Sequence, residues 1–384
     1  MLFAAQGSGG KSTANLVDEL PLMGNRVVVA GLFRTRCGLQ RGAKLMLIDL
    51  ARRGYMARAV DLSAPLAHSL DEPDAGLILP IDLERLPVSD LIIHVNPPLF
   101  AGAMASFPET VLRRTRIVAY WAWELPVLSD EWRECARLCS AIWVPSPFVA
   151  DAMFAGLPDF AGEIRVVPHQ VDLDPMPRLN AEQRRILREG YGIAPSEFAC
   201  GASLSFHSNY ARKNPIGAVD AFMRAFSPLD QNVRLLVRAH DGQHHRKLFD
   251  HLVSYSAEDP RITVFDPMTR KWPISEFFSS LDVFMSLHRS EGYGLQVAEA
   301  AQAGVSTLAT AWGLAPDIRS RPEVYTVGYR LITPLDPEGF YMQFDGAKWA
   351  EPDIDDAVRW LRILRANHAS KFAGTTIATV PPAQ

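Results

Sequence analysis

Cysteine is scarce: Cys37, Cys135, Cys139 and Cys200 are the four in 384 residues. They cannot build the disulfide framework of a small secreted scaffold. Cys135 and Cys139 lie one helical turn apart, and no second pair completes a zinc set. Reduced thiols in a cytoplasmic protein are the simplest account. No apolar run is long enough to span a bilayer, and the first residues lack the charged start and apolar core of a secretory signal. No charge excess exists either. A formal net charge of −4 gives no sign of a general nucleic-acid binder. Neither a nucleophile elbow nor a dinucleotide fingerprint occurs.

What is present is the balance of a globular protein, 48% hydrophobic and 21% charged, in a chain long enough for two domains. Positive charge clusters at Arg34, Arg36, Arg41, Lys44, Arg52 and Arg53, and again at Arg113, Arg114 and Arg116. Solvated faces are the plain reading of such clusters, and an anionic membrane surface is the alternative.

The stretch "AAQGSGGKST" (4–13) has the look of a phosphate loop ending in Lys11 and Ser12. Such a loop needs a buried strand before it and a helix after it, so that backbone N–H groups converge on the phosphates. Only residues 1–4 precede it, and Pro21 and Gly24 break the segment on its far side. A Gly/Ser-rich arm over residues 1–25 is the expectation. A P-loop NTPase using Lys11 is kept as a rival.

From residue 26 onward, short apolar runs alternate with helical patterns. Strands are expected at 26–33, 91–96, 116–121, 141–145 and 164–168, with a helix at 42–54. The pattern pauses over 171–197, which reads as a linker with a short charged helix. It restarts with strands at 198–205, 233–239, 261–265, 281–287 and 305–309. Near-continuous Val/Ile/Leu strands between helices predict parallel sheets covered on both faces. The expected architecture is α/β, with two Rossmann-like doubly wound domains, 26–170 and 198–352. A terminal helix and an unstructured tail complete the chain over 353–384. Ligands are expected in the cleft, at the carboxyl ends of the strands.

The stretch that carries chemistry is "LHRSEGYGLQVAEAAQAGVSTLAT" (287–310). It comes after a strand, turns on Gly292 and Gly294, and opens a helix. Free N–H groups of Tyr293, Gly294 and Leu295 would face an anion, aided by the helix dipole. Glu291 and Glu299 bracket this turn. A carboxylate accepts two hydrogen bonds, so it can hold a vicinal diol such as a ribose. The basic residues that would neutralise a diphosphate are Arg212 and Lys213 in "SNYARKNPIGAVDAF" (208–222), just before the helix start at Asn214 and Pro215.

Together, the Glu-x7-Glu spacing of "EGYGLQVAE", the Lys of "RKNP" and the segment "VPSPFVADAM" resemble a GT-B glycosyltransferase of family 4. The resemblance runs from about Arg26 to Arg365. "YWAWELP" with "RKNP" is similar to a bacterial branch that builds surface polysaccharides. The resemblance implies a retaining transfer from a nucleoside diphosphate sugar, with no metal and no cofactor. It implies that Glu299 holds the ribose, Glu291 lies by the transferred sugar, and Lys213 neutralises the diphosphate with Arg212 assisting. It implies that the first glycine loop, "TRCGLQRGA" with Gly38 and Gly42, closes on donor and acceptor. It also implies a glycan or lipid-linked acceptor, with peripheral contact at the cytoplasmic membrane face.

Two departures stand out. Relatives carry a His where this chain has Tyr120, Trp121 and Trp123, and an Arg where it has Ser205 or Phe206. Glu124 and Arg212 are the candidate stand-ins. His94, Trp123 and Glu124 are the candidates for the acceptor side, with a plain core role as the alternative for Trp123 and His94. The departures also keep a non-catalytic, glycan- or partner-binding member of the fold as an alternative. "DLD" (172–174) lies in the linker and is read as no metal site, and "HDGQHH" (240–245) as a surface turn.

Overall fold

The computed structural model describes residues 20–373 except 75, 178 and 268–272. Lys11 and its glycine-rich stretch, the tail beyond 373 and part of the 265–273 loop lie outside the described residues.

The chain forms two parallel six-stranded sheets in sequence. The first contains β1 (Arg26–Gly31), β2 (Met56–Asp61), β3 (Asp90–His94), β4 (Arg116–Tyr120), β5 (Ala141–Val144) and β6 (Glu163–Val166), in the order β2-β1-β3-β4-β5-β6. The second contains β7 (Phe198–Ser205), β8 (Val233–His240), β9 (Ile262–Phe265), β10 (Val283–Ser286), β11 (Ser306–Thr310) and β12 (Val324–Val327), in the order β12-β11-β10-β7-β8-β9. Successive side chains of a strand point to opposite faces, and here both faces are dry. In β1, Val28 and Ala30 enter one core cluster while Val27 and Val29 enter another. In β8, Leu235 and Val237 face one cluster and Leu236 the other.

β2 and β12 lie outside the sequence expectations, whereas β6 and β9, the other two edge strands, lie within them. "MARAVD" mixes charged and small residues and "VYTV" is a four-residue strand, so neither forms a long apolar run. A small antiparallel pair, β13 (Tyr329–Ile332) with β14 (Trp349–Pro352), lies outside the sequence expectations as well. It brackets a 333–348 strap that crosses to the first domain. There Tyr341, Phe344 and Trp349 join Trp121, Trp123 and Trp132 in one buried cluster.

The 171–197 segment holds the expected charged helix, Ala181–Gly190, opened by a reciprocal Asn180–Gln183 capping box. Its arginines fix it to the second sheet. Arg184 donates to Ser279 O and Leu281 O, and Arg188 to Ser280 O. Both also reach Asp282, whose carboxylate accepts the Ala199 N–H at 2.8 Å. The last helix, Ile354–Ala373, packs on the same domain through Ala357, Leu361 and Leu364, and Arg362 donates to Ala225 O.

The basic cluster near the start is largely neutralised. Lys44 and Arg36 pair with Glu72, Arg53 with Asp49, and Arg41 with Asp174 and Glu299. Removing one partner of a buried ion pair leaves the other charge stranded. Asp282→Ala should therefore cost about 3–5 kcal/mol of second-domain stability, read as a lower midpoint in urea unfolding.

Candidate functional site

The site is assembled where the carboxyl ends of β7 and β10 meet the first domain. After β7 the chain makes one helical turn, Tyr210–Lys213, between two asparagines with positive φ, Asn209 at 65° and Asn214 at 50°. Asparagine tolerates this region better than most residues because its short amide bonds locally. Asn209 Oδ1 accepts from Arg212 N at 2.9 Å. Asn214 caps the next helix, Pro215–Ala225, accepting from Gly217 N, and donates to Leu287 O at 2.8 Å. The Arg-Lys pair thus sits on a rigid turn tied to the end of β10. Arg289 adds a further tie, donating to Ala211 O at 2.6 Å and pairing with Glu351.

Glu291 is the meeting point. Lys213 Nζ bonds its Oε1, and Arg212 Nη1 stands 3.3 Å from the same atom. These cations overcome burial and hold the Glu291 carboxyl down to about 2. Burial lowers the Lys213 ammonium, with Glu291 opposing that shift. Behind Glu291 lies His288, whose ring nitrogens meet Ser286 Oγ and Trp312 O, both at 3.0 Å. Burial lowers this imidazole to about 4, so it is neutral near pH 7.

The first domain contributes Glu124. Arg212 Nη2 lies 3.5 Å from Glu124 Oε1, and Tyr341 OH donates to Oε2 at 3.4 Å. Burial pushes the Glu124 carboxyl up, and Arg212 resists that shift. Glu124, Arg212, Lys213 and Glu291 therefore form one cluster across the domain boundary. Arg212 also donates to Ser290 O and Ser208 O, both at 2.8 Å. It holds the turn together as well as facing the carboxylates.

The turn itself is Gly292–Gly294, with Gly294 at φ 102° leading into the helix Leu295–Gln302. Among the described residues none accepts from the N–H of Gly294 or Leu295, as an anion-facing helix tip requires. Gly292 has a different role from the one expected. A Cβ there would sit 2.5 Å from Trp123 O, so its missing side chain admits the first domain's backbone. Ser146 Oγ donates to Gly292 O at 2.5 Å, and Ser290 Oγ bonds Glu124 O. Tyr293 points its ring away from the turn, with its hydroxyl 2.8 Å from His169 O and 2.9 Å from Asp317. Leu295 packs beside the cluster that contains Tyr293, Val297 and Leu45.

Glu299 stands on the same helix, one turn in, and is buried. Its Oε1 accepts from Arg41 Nε of the first domain at 2.6 Å, and Arg41 also pairs with Asp174. Burial raises the Glu299 carboxyl while Arg41 lowers it.

On the expected acceptor side, the structure packs three of the residues closely. Trp123 is no open stacking platform: it is 3% exposed, packs on Trp132 and Phe344, and donates to Val127 O. The resulting tryptophan cluster is how the strap and first domain cohere. His94 is fully buried at the end of β3 and stacks on Tyr120 at 4.3 Å. Desolvation brings it down to about 3, and neither ring nitrogen has a hydrogen-bond partner among the described residues. Gly42 lies inside the helix Gly38–Arg52, where a Cβ would meet His169 and His94 within 2.9 Å. It is a packing glycine, not part of a mobile loop. Gly38 opens that helix after the Cys37 cap, with nothing within 4 Å of an added Cβ.

Sequence reasoning missed Tyr341, Ser290 and Asn209, and saw Arg41 and Asp174 only as parts of other patterns. Asn209 caps its own turn, while the others carry no local signal because each gains its partner from a distant element. The arrangement predicts an acid-side signature. A carboxylate whose folded pKa is depressed contributes stability above its ordinary value, lost as pH falls through the folded value. Glu291→Gln should be less stable than the parent at pH 7. The gap should narrow between pH 4.5 and about 2, read from thermal unfolding across that range. Gly313 sits at φ 71° with Glu291 O 2.1 Å from an added Cβ. Gly313→Ala should lower stability by about 1–3 kcal/mol, because backbone cannot yield.

Comparison with known proteins bears on the fold and the second domain. Residues 202–344 match the family model described as Glycosyl transferases group 1, which covers most of the second domain. No curated protein matches the chain significantly by sequence. Among solved structures, a glycosyltransferase from Rickettsia africae ESF-5 superposes with a TM-score of 0.58 at 12% identity, over 90% of this chain and 94% of that one. Anabaena HepE in complex with UDP-glucose gives 0.55 at 12% identity, over 91% and 99%. WaaG, a glycosyltransferase involved in lipopolysaccharide biosynthesis, gives 0.51 at 18% identity, over 91% and 95%. The chain therefore has the GT-B fold, and its second domain carries a group 1 glycosyl transferase match.

Proposed function

We propose that the protein transfers a glycosyl unit from a nucleoside diphosphate sugar to a hydroxyl acceptor, with retention at the anomeric carbon. The observation that carries this reading is the Glu291–Lys213–Arg212 cluster beside the open amides of the Leu295–Gln302 helix. Cleaving the anomeric bond develops positive charge on the sugar and negative charge on the departing diphosphate. Lys213 and the amides of Gly294 and Leu295 stabilise the diphosphate. Arg212, bound to two carbonyls and facing two carboxylates, positions this group rather than moving with the ligand. Glu291 meets the sugar hydroxyls and Glu299 the ribose. The acceptor enters from the first domain near Glu124 and Gly38.

The reading extends to the family-4 resemblance: a glycan or lipid-linked acceptor, a role in surface polysaccharide, no metal, and a cytoplasmic protein that touches the membrane face. Among the described residues no helix is long and apolar enough to cross a membrane. HepE holds UDP-glucose, so the first donors to try are uridine diphosphate sugars.

Preorganised charge-stabilising groups are worth roughly 10²–10³ each in rate. Lys213→Ala should reduce turnover by about that factor with a matching donor, while Lys11→Ala leaves it unchanged. Radiolabelled sugar transfer across a donor panel reads both. The reverse outcome, activity lost with Lys11 and kept without Lys213, would sink the proposal. Donor binding with neither transfer nor hydrolysis would favour a non-catalytic member of the fold.

A further inference from the structure

The contact between Arg41 and Glu299 joins the two domains, and it covers the carboxylate that the donor reading assigns to the ribose. Arg41 lies on the helix Gly38–Arg52 of the first domain, and Glu299 on the helix Leu295–Gln302 of the second. The Glu299 side chain is 6% exposed, with Arg41 Nε 2.6 Å from Oε1. We infer that Arg41 is a gating residue: it occupies Glu299 in the ligand-free protein and releases it when a nucleotide enters. The inference rests on the donor-site reading proposed for Glu299.

Three features make the contact a gate rather than a fixed brace. First, Arg41 has a second partner outside the site. Its other arm pairs with Asp174, whose side chain is 48% exposed, so the guanidinium can swing outward without losing all compensation. Second, the helix cannot supply the movement. Gly42 is pressed against His94 and His169, closer than a Cβ would allow, and Leu45 packs with Tyr293 and Val297. Release is therefore a side-chain rotation of Arg41. Third, a vicinal diol can replace what Glu299 loses. Its two hydroxyls each donate one hydrogen bond to the carboxylate, so the group is not left stranded. A ligand without that diol gains nothing by opening the pair.

A site that is blocked for part of the time binds its ligand more weakly by the fraction available. Removing the gate should tighten nucleotide binding. Calorimetric titration of UDP, GDP and ADP into the full chain tests this, using whichever binds best. Arg41→Gln should lower its dissociation constant at least about threefold, and Arg41→Lys, which loses the planar fork, should fall between. Glu299→Gln should weaken binding, and adding Arg41→Gln to it should bring no gain. The 2′,3′-dideoxy form of the same nucleotide should bind the parent and Arg41→Gln alike. If Glu299→Gln weakens binding but Arg41→Gln and Arg41→Lys leave it equal or weaker, the gate is overturned and the donor site stands. If no diphosphate binds, or binding ignores Glu299→Gln, the donor reading fails and the gate with it.

Discussion

Glu291 is a largely buried carboxylate, and Lys213 and Arg212 face it and hold its carboxyl down against burial. Burying any one of these charges alone would be costly, and burying them together is tolerable only in good geometry. Much of the local architecture supplies that geometry. Asparagines bracket the cationic turn, Arg289 ties it to β14, and Gly313 gives way to the Glu291 backbone. Glu124 and Tyr341 bring the first domain and the strap to the same charges.

This shared charge cluster is also a statement about the domains. The two sheets have separate cores, yet the site turn is shaped by the partner domain. Gly292 lacks a side chain where Trp123 O approaches, and Ser146 and Ser290 bond across the boundary. Tyr293 and Leu45 share an apolar cluster, while the tryptophans of "YWAWELP" receive the 333–348 strap. The cleft is thus closed by a polar centre between two apolar contacts. Arg41 on Glu299 belongs to the same closure, and its arginine also reaches the exposed Asp174.

The fold was largely legible because buried parallel strands are nearly continuous apolar runs. Every central strand left that trace, as did the edges β6 and β9, while β2 and β12 did not. The site was legible where chemistry is local. Glu291, Gly294 and Glu299 sit within one turn and one helix, and Arg212 and Lys213 sit on the next loop along the rim. It was illegible where burial decides. Trp123 and His94 are residue types that serve both cores and sugar sites, and only packing shows that both are buried here.

By itself the sequence determined two parallel sheets, a glycine turn opening a helix, and a spacing that sets one acid on each side of that turn. Those features arise from backbone periodicity and from neighbours within a few residues. Tertiary structure alone decided which cation meets which acid: Lys213 on Glu291, Arg212 between Glu291 and Glu124, Arg41 on Glu299. These partners are separated by dozens to hundreds of residues. A charge reveals its partner only when folding removes the water that would otherwise screen it.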